Sequence, residues 1–143
     1  MNNSTVILDS SVIAKWFFPE SNSKKALEIK DKFTDNTISI VIPLLLYYEV
    51  NNLLKTAVKR FRIDEDDAIK VYHAFLQLNF ISYSTELLLK KTLEIAIKYN
   101  ISSYDASYIA LAEYLQFQFV TADKKLVSAA SNKLVVDLEK FIV

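Results

Sequence analysis

The 143-residue chain has no glycine, no cysteine, two prolines and one histidine. Without glycine there is neither a P-loop nor a GxGxxG loop, since both need glycine for the backbone to approach phosphate closely. Without cysteine there is no disulfide, which agrees with a cytosolic setting. With a single histidine besides, a conventional zinc site is disfavoured. That residue, His73, lies in a helical pattern over residues 68–76 and reads as structural or exposed, so Ser-His-Asp and Cys-His catalysis are disfavoured too. No apolar stretch reaches the roughly 18 residues that span a bilayer. The stretch Met1-Asn2-Asn3-Ser4-Thr5 lacks the basic region and cleavage site of a signal peptide, so a soluble, cytoplasmic protein with no membrane association is expected. Seventeen basic and seventeen acidic residues give zero formal net charge. Global electrostatics therefore do not favour nucleic acid, and only local patches remain. One is Lys55, Lys59, Arg60 and Arg62; another is Lys124-Lys125. Each reads equally as a solvated helix face. The chemistry left is that of carboxylates, most naturally with a hard, oxygen-binding cation.

What is present is ample core material: 52% of residues are hydrophobic and 13% aromatic. Length and composition predict one globular domain over residues 1–143. Short β-branched runs alternate with amphipathic segments. The patterns predict strands over residues 5–8, 38–42, 80–83, 117–121 and 134–136. They predict helices over 11–18, 23–33, 43–60, 64–78, 86–99, 103–115 and 124–130. Pro43 is placed in a helix first turn, and Asn100 as a left-handed helix end. Strand–helix alternation with short connections predicts a mostly parallel sheet of four to five strands with helices on both faces.

Four acids occupy comparable junctions. Asp9 closes the run Val6-Ile7-Leu8 before a helix, at the strand end where open α/β sheets place ligands. Asp123 repeats the arrangement after residues 117–121. Two such strands side by side would present both acids at one sheet edge. Each would also serve as a plain helix cap. Glu49 falls among Leu45, Leu46, Asn52 and Leu53 around its helix, where a lone buried carboxylate is costly unless paired or metal-bound. Asp105 follows Ser102 as in a capping box, at the start of a small-residue helix that includes Ala106, Ile109, Ala110 and Ala112.

These segments, in this order, resemble the PIN-domain ribonucleases, and most of all the VapC-type toxins of toxin–antitoxin pairs. The resemblance rests on residues 6–17, 49–54, 103–112 and 120–126 and extends over essentially the whole chain. It implies a PIN-like three-layer α/β sandwich. It implies a metal-dependent endoribonuclease with Mg²⁺ or Mn²⁺ among Asp9, Glu49, Asp105 and Asp123, supported by Ser11 and Thr121. In this reading Asp9 and Asp105 are the main ligands, Glu49 orients the attacking water or completes the shell, and Asp123 binds a second metal or acts through water. It further implies a 5′-phosphate and a 3′-hydroxyl product, a homodimer, and a cognate antitoxin. The helix of Leu44 to Leu54 and the region from Phe61 to Leu78 are the candidate contact surfaces. Tyr104 and Tyr108 read mainly as packing residues, with base stacking as the other role.

Three other readings compete. A phosphoacceptor role for Asp9 is disfavoured, because Ser11 stands where dehalogenase-like enzymes carry a second Asp and no acidic pair precedes Asp9. A non-catalytic binding module is opposed by the intact acid set. A role in RNA processing outside a toxin–antitoxin pair keeps the same site and chemistry.

Overall fold

The structure is a computed structural model that describes residues 4–143; Met1, Asn2 and Asn3, on which part of the signal-peptide reading falls, lie outside it. Five strands form one sheet: β1 (Ser4–Leu8), β2 (Ile38–Pro43), β3 (Ile81–Tyr83), β4 (Gln118–Thr121) and β5 (Val135–Asp137). Their order is β3-β2-β1-β4-β5, and every pairing is parallel. Seven helices connect and flank them: α1 (Ser10–Phe17), α2 (Lys24–Thr34), α3 (Leu45–Lys59), α4 (Glu65–Leu76), α5 (Leu89–Tyr99), α6 (Ser103–Leu115) and α7 (Lys124–Ala129).

Two cores sandwich the sheet, because alternate residues of a strand face opposite ways. Val6 and Leu8 of β1 pack with Val12, Trp16, Phe33, Leu46 and Phe75 from α1 to α4. Ile7 points the other way, with Phe119, Ile95, Tyr108, Ile109 and Leu126 from β4, α5, α6 and α7. The first core is aromatic: Trp16, Phe33 and Phe80 form a mutually stacked triad, and the Trp16 ring N–H donates to the Ala26 carbonyl at 2.8 Å.

Pro43 is not in a helix. It is the last residue of β2, paired with Tyr83, and the neighbouring Leu44 N–H donates to the Tyr83 carbonyl at 3.3 Å. A proline at the end of a strand leaves the ladder without losing an interior bond. The segment predicted as one helix over 86–99 begins as a 3-10 turn, Glu86–Leu88, before α5.

A chain without glycine still needs left-handed residues to end its helices. Asn36, Phe61, Asn100 and Gln116 supply them, with φ of 61°, 56°, 52° and 58°. After α3, Phe61 N–H bonds to the Val58 carbonyl at 3.0 Å and Arg62 N–H to the Ala57 carbonyl at 2.9 Å. That double closure normally uses glycine. Asn tolerates the left-handed region, whereas a bulky Phe is a marked outlier there.

Candidate active site

The register of β1 against β4, with Leu8 beside Val120, brings the residues just beyond them together. Thr121 donates its hydroxyl to Asp9 Oδ2 at 2.6 Å. The other oxygen, Oδ1, accepts the Ser11 backbone N–H at 3.1 Å and the Ser11 hydroxyl. Asp9 is thus both the cap of α1 and a buried carboxylate at the sheet's carboxyl edge. That edge, where the chain leaves β1 for β2 on one side and β4 lies on the other, is the switch point at which such sheets bind ligands. Ser11 Oγ also accepts the Ala122 N–H at 2.9 Å, and Thr121 Oγ1 accepts the Asp123 N–H at 3.1 Å. The two hydroxyls therefore tie the ends of β1 and β4 into one unit.

Glu49 reaches this unit from α3. Its Oε1 accepts the Tyr108 hydroxyl and its Oε2 the Ser10 hydroxyl, the latter at 3.4 Å. Of the apolar neighbours expected for it, Leu46 is buried and Leu45 is half-buried. The buried stripe of α3 is Leu46, Val50, Leu54 and Ala57, while Asn52 is exposed and Leu53 half-buried. Asp105 stands in the first turn of α6, and its N–H is capped by Ser102 Oγ at 3.1 Å. Asp123 caps α7, with Oδ1 accepting the Lys125 and Leu126 N–H groups at 3.0 and 3.1 Å. Both capping readings thus hold, with the acids at the same sheet edge.

The acids feel one another. Burial pushes the Asp9 carboxyl up to about 6; its bonds to Ser11 and Thr121 oppose this and the Glu49 charge adds to it. Burial also raises Glu49, with the bond from Tyr108 opposing and the charge of Asp105 adding. Asp105 is raised by burial, opposed by Ser102, and raised further by the charge of Asp123. The coupling therefore runs Asp9–Glu49–Asp105–Asp123. Carboxylates held this way favour protons or cations over one another's charge.

The sequence between Val6 and Asn132 matches the family model described as the PIN domain. The chain belongs to the PIN-domain family. A ribonuclease named VapC3 from Pyrobaculum aerophilum is 30% identical over 125 residues, covering 85% of this chain and 91% of its own. The crystal structure of PAE2754 from the same organism superposes with a TM-score of 0.72 at 23% identity, covering 96% of this chain and 85% of that one. A toxin–antitoxin complex from Klebsiella pneumoniae contains a chain with a TM-score of 0.64 at 16% identity, covering 93% of this chain and 97% of that chain.

In this PIN domain, no three Asp, Glu, His or Cys side chains among the described residues stand close enough to grip one metal ion directly. The donor set is nevertheless all oxygen: carboxylates, three of them with raised proton affinity, and two hydroxyls. It fits a hard divalent cation bound by one or two carboxylates and otherwise through water, as Mg²⁺ prefers. It does not fit a soft or fully protein-caged metal.

Tyr108 is the residue that sequence reasoning undervalued. Its ring is buried and stacked on Phe119 at 5.2 Å, as a packing residue should be, yet its hydroxyl holds Glu49. Burial and the Glu49 charge raise its own proton affinity further, so it stays a donor. Tyr104, expected to pack, is exposed. The expected basic patch is divided: Lys55 lines a groove between α3 and α4, whereas Arg60 and Arg62 line a cleft between α1 and α3.

Proposed function

We propose that this PIN domain, a single unit over residues 1–143, is a divalent-metal-dependent endoribonuclease acting in the cytoplasm as the toxin of a toxin–antitoxin pair. The observation that carries the reading is the charge-coupled line of four acids at the switch point, with Asp9 clamped by Ser11 and Thr121. A cluster of like charges with raised proton affinity works against folding, and a cation and a phosphodiester explain why it is there. Bound Mg²⁺ or Mn²⁺ supplies a lowered water pKa and screens the phosphate charge. Asp9 and Asp105 would hold it, with Asp123 acting directly or through water. Glu49, fixed at both oxygens, orients the water that attacks phosphorus and takes up its proton. The strand is cut to a 5′-phosphate and a 3′-hydroxyl.

Incubation with a mixed RNA pool and Mg²⁺ or Mn²⁺, followed by mapping of the cut ends, tests this. Cleavage should vanish with chelator and in Asp9→Asn. Metal-independent cleavage, or full activity in Asp9→Asn, refutes it.

Two surfaces fit the partners. Between α3 and α4 runs an apolar groove of about 270 Å³ lined by Leu54, Val58, Ala68, Ile69 and Tyr72, with exposed Leu44 and Tyr48 near one end. It suits an apolar antitoxin segment. On α5, Leu89, Leu93 and Ile97 are each more than half exposed and stand four residues apart. They flank a Lys90–Glu94 pair at 3.7 Å. A second copy laid antiparallel about a two-fold axis near Leu93 sets Leu89 of one against Ile97 of the other. The same axis sets Lys90 near Glu94, which is the self-complementarity an isologous dimer needs. Light scattering should give a dimer that Leu93→Glu dissociates; a monomeric wild type at all concentrations refutes the interface.

A further inference from the structure

The site carries four acids and the whole chain is neutral, so nothing yet described attracts a polyanion. The attraction must be local. The cleft between α1 and α3, about 240 Å³, starts at Ser11 beside Asp9 and runs to the carboxyl ends of both helices. Lys15, Arg60 and Arg62 line it, with Glu20 as the only acid. Among the described residues neither arginine is in an ion pair, with Glu20 or with any other acid. The guanidinium carbon of Arg62 sits over the Phe18 ring, 4.6 Å from its centroid, which holds the side chain at the cleft. Lys15 is steadied by Asn22 Oδ1 at 2.9 Å.

Between the two arginines stands Phe61. Its side chain is 96% exposed and stacks on no other ring among the described residues. Its backbone is left-handed, at φ 56°. The same helix-ending role is filled by Asn at positions 36 and 100. A bulky aromatic here is costly in the backbone and gains nothing by burial. An observed outlier of this kind points to function.

We propose that the Arg60-Phe61-Arg62 turn, with Lys15, is a clamp for single-stranded RNA. The cations hold backbone phosphates and the Phe61 ring stacks under one base, a few nucleotides from the bond at Asp9. Cations interleaved with an exposed aromatic are the recurring means of gripping a single strand. Arg60 is eleven residues beyond Glu49 on α3, roughly 16 Å at the rise of a helix, so the clamp lies beyond the scissile phosphate itself. The inference rests on the ribonuclease reading for its substrate class.

The test measures binding of a short labelled oligouridylate over a salt series, with the full chain carrying Asp9→Asn so that nothing is cut. Adding Arg60→Ala should weaken binding and reduce the salt slope by about 0.7, the share of one phosphate on a single strand. Arg60→Lys should restore the slope. Phe61→Asn should weaken binding about tenfold with the slope unchanged, since stacking releases no counterion. It should also raise the melting temperature, which a merely structural side chain would not do. Lys133→Ala, remote from the cleft, serves as control. An unchanged slope in Arg60→Ala, unchanged affinity in Phe61→Asn, or no binding at low salt overturns the clamp. A Phe61→Asn variant that binds RNA normally but no longer binds the antitoxin also overturns it. If these results hold and the wild type leaves RNA intact with Mg²⁺ and Mn²⁺, the ribonuclease reading fails and the clamp stands. If the wild type cuts RNA while slope and affinity are untouched, the reverse is true.

Discussion

Replacing Asp9 with Asn should make the metal-free protein more stable at neutral pH. Asp9 is buried, and its carboxyl is pushed from an ordinary 3.8 up to about 6. Keeping it ionised at pH 8 therefore costs about 3 kcal/mol relative to the unfolded chain. The sign follows from the direction of the shift. A carboxyl raised in the folded state contributes its stability below the unfolded value near 4, where it is protonated in both states. That stability is lost as pH rises through about 6. An Asn at this place carries no charge, and its amide matches the carboxylate in size. Its oxygen can still accept from Ser11 or Thr121, although its NH₂ must find an acceptor, which trims the gain. Urea denaturation of both proteins in chelator measures the effect. At pH 8 the variant should be more stable by up to about 3 kcal/mol, roughly 10 °C in Tm. At pH 5 the advantage should fall to about half of that, and near pH 4 it should nearly vanish. Millimolar Mg²⁺ or Mn²⁺ should narrow the gap by stabilising the wild type alone. A variant less stable than wild type at pH 8, or a difference that does not change with pH, refutes the reasoning.

Tyr108→Phe keeps the ring on Phe119 and removes the donor to Glu49; cleavage should fall about tenfold, less than the roughly 10²–10⁴-fold lost with a general base itself, and the acid limb of the pH–rate profile should move to higher pH. Thr121→Val removes the bond to Asp9 Oδ2 and the acceptor for the Asp123 N–H; calorimetry should show weaker Mn²⁺ binding, with its half-point displaced to higher pH. Trp16→Ala removes the ring stacked against Phe33 and Phe80 and its bond to the Ala26 carbonyl; the loss should be about 3–5 kcal/mol by denaturant titration. Phe61→Gly relieves the left-handed backbone and should stabilise by about 1 kcal/mol, read as a higher Tm.

Strand–acid–helix junctions were legible because they are local. A β-branched run followed by an acid and an amphipathic segment carries its own signal, and Asp9 and Asp123 stand at adjacent strand ends as expected. The helix over residues 103–115 and the left-handed Asn100 were equally plain. Three features were not. Pro43 fits both a helix first turn and a strand end, and only pairing with Tyr83 decides between them. The basic cluster was read as one patch, yet five residues of helix turn the chain by about 140°, so Lys55 and Arg60 face different grooves. Tyr108 shares a helical face with Asp105, three residues earlier, which was a usable hint. Its partner Glu49 is 59 residues away in the chain, and no local pattern reports such a contact.

The fold also offsets part of the repulsion among the clustered acids. In a parallel sheet the helices that follow strands begin at the carboxyl edge, so their positive amino ends point at the site. Asp9 and Asp123 cap α1 and α7, and Asp105 lies in the first turn of α6. Each of the three is offset by a helix end, at about 0.3–1 kcal/mol apiece. Glu49 is different: it stands five residues into α3, beyond the reach of that helix's first turn. It is also the acid that needs a separate phenol and a hydroxyl to hold it. The four carboxylates thus divide into three that the helix dipoles stabilise and one that depends on Tyr108 and Ser10. The dependent one is the acid to which the proposed mechanism gives the attacking water. Burial and the charge of Asp105 raise its proton affinity, and the bonds from Tyr108 and Ser10 only partly oppose them, which suits a group that must accept a proton during the reaction.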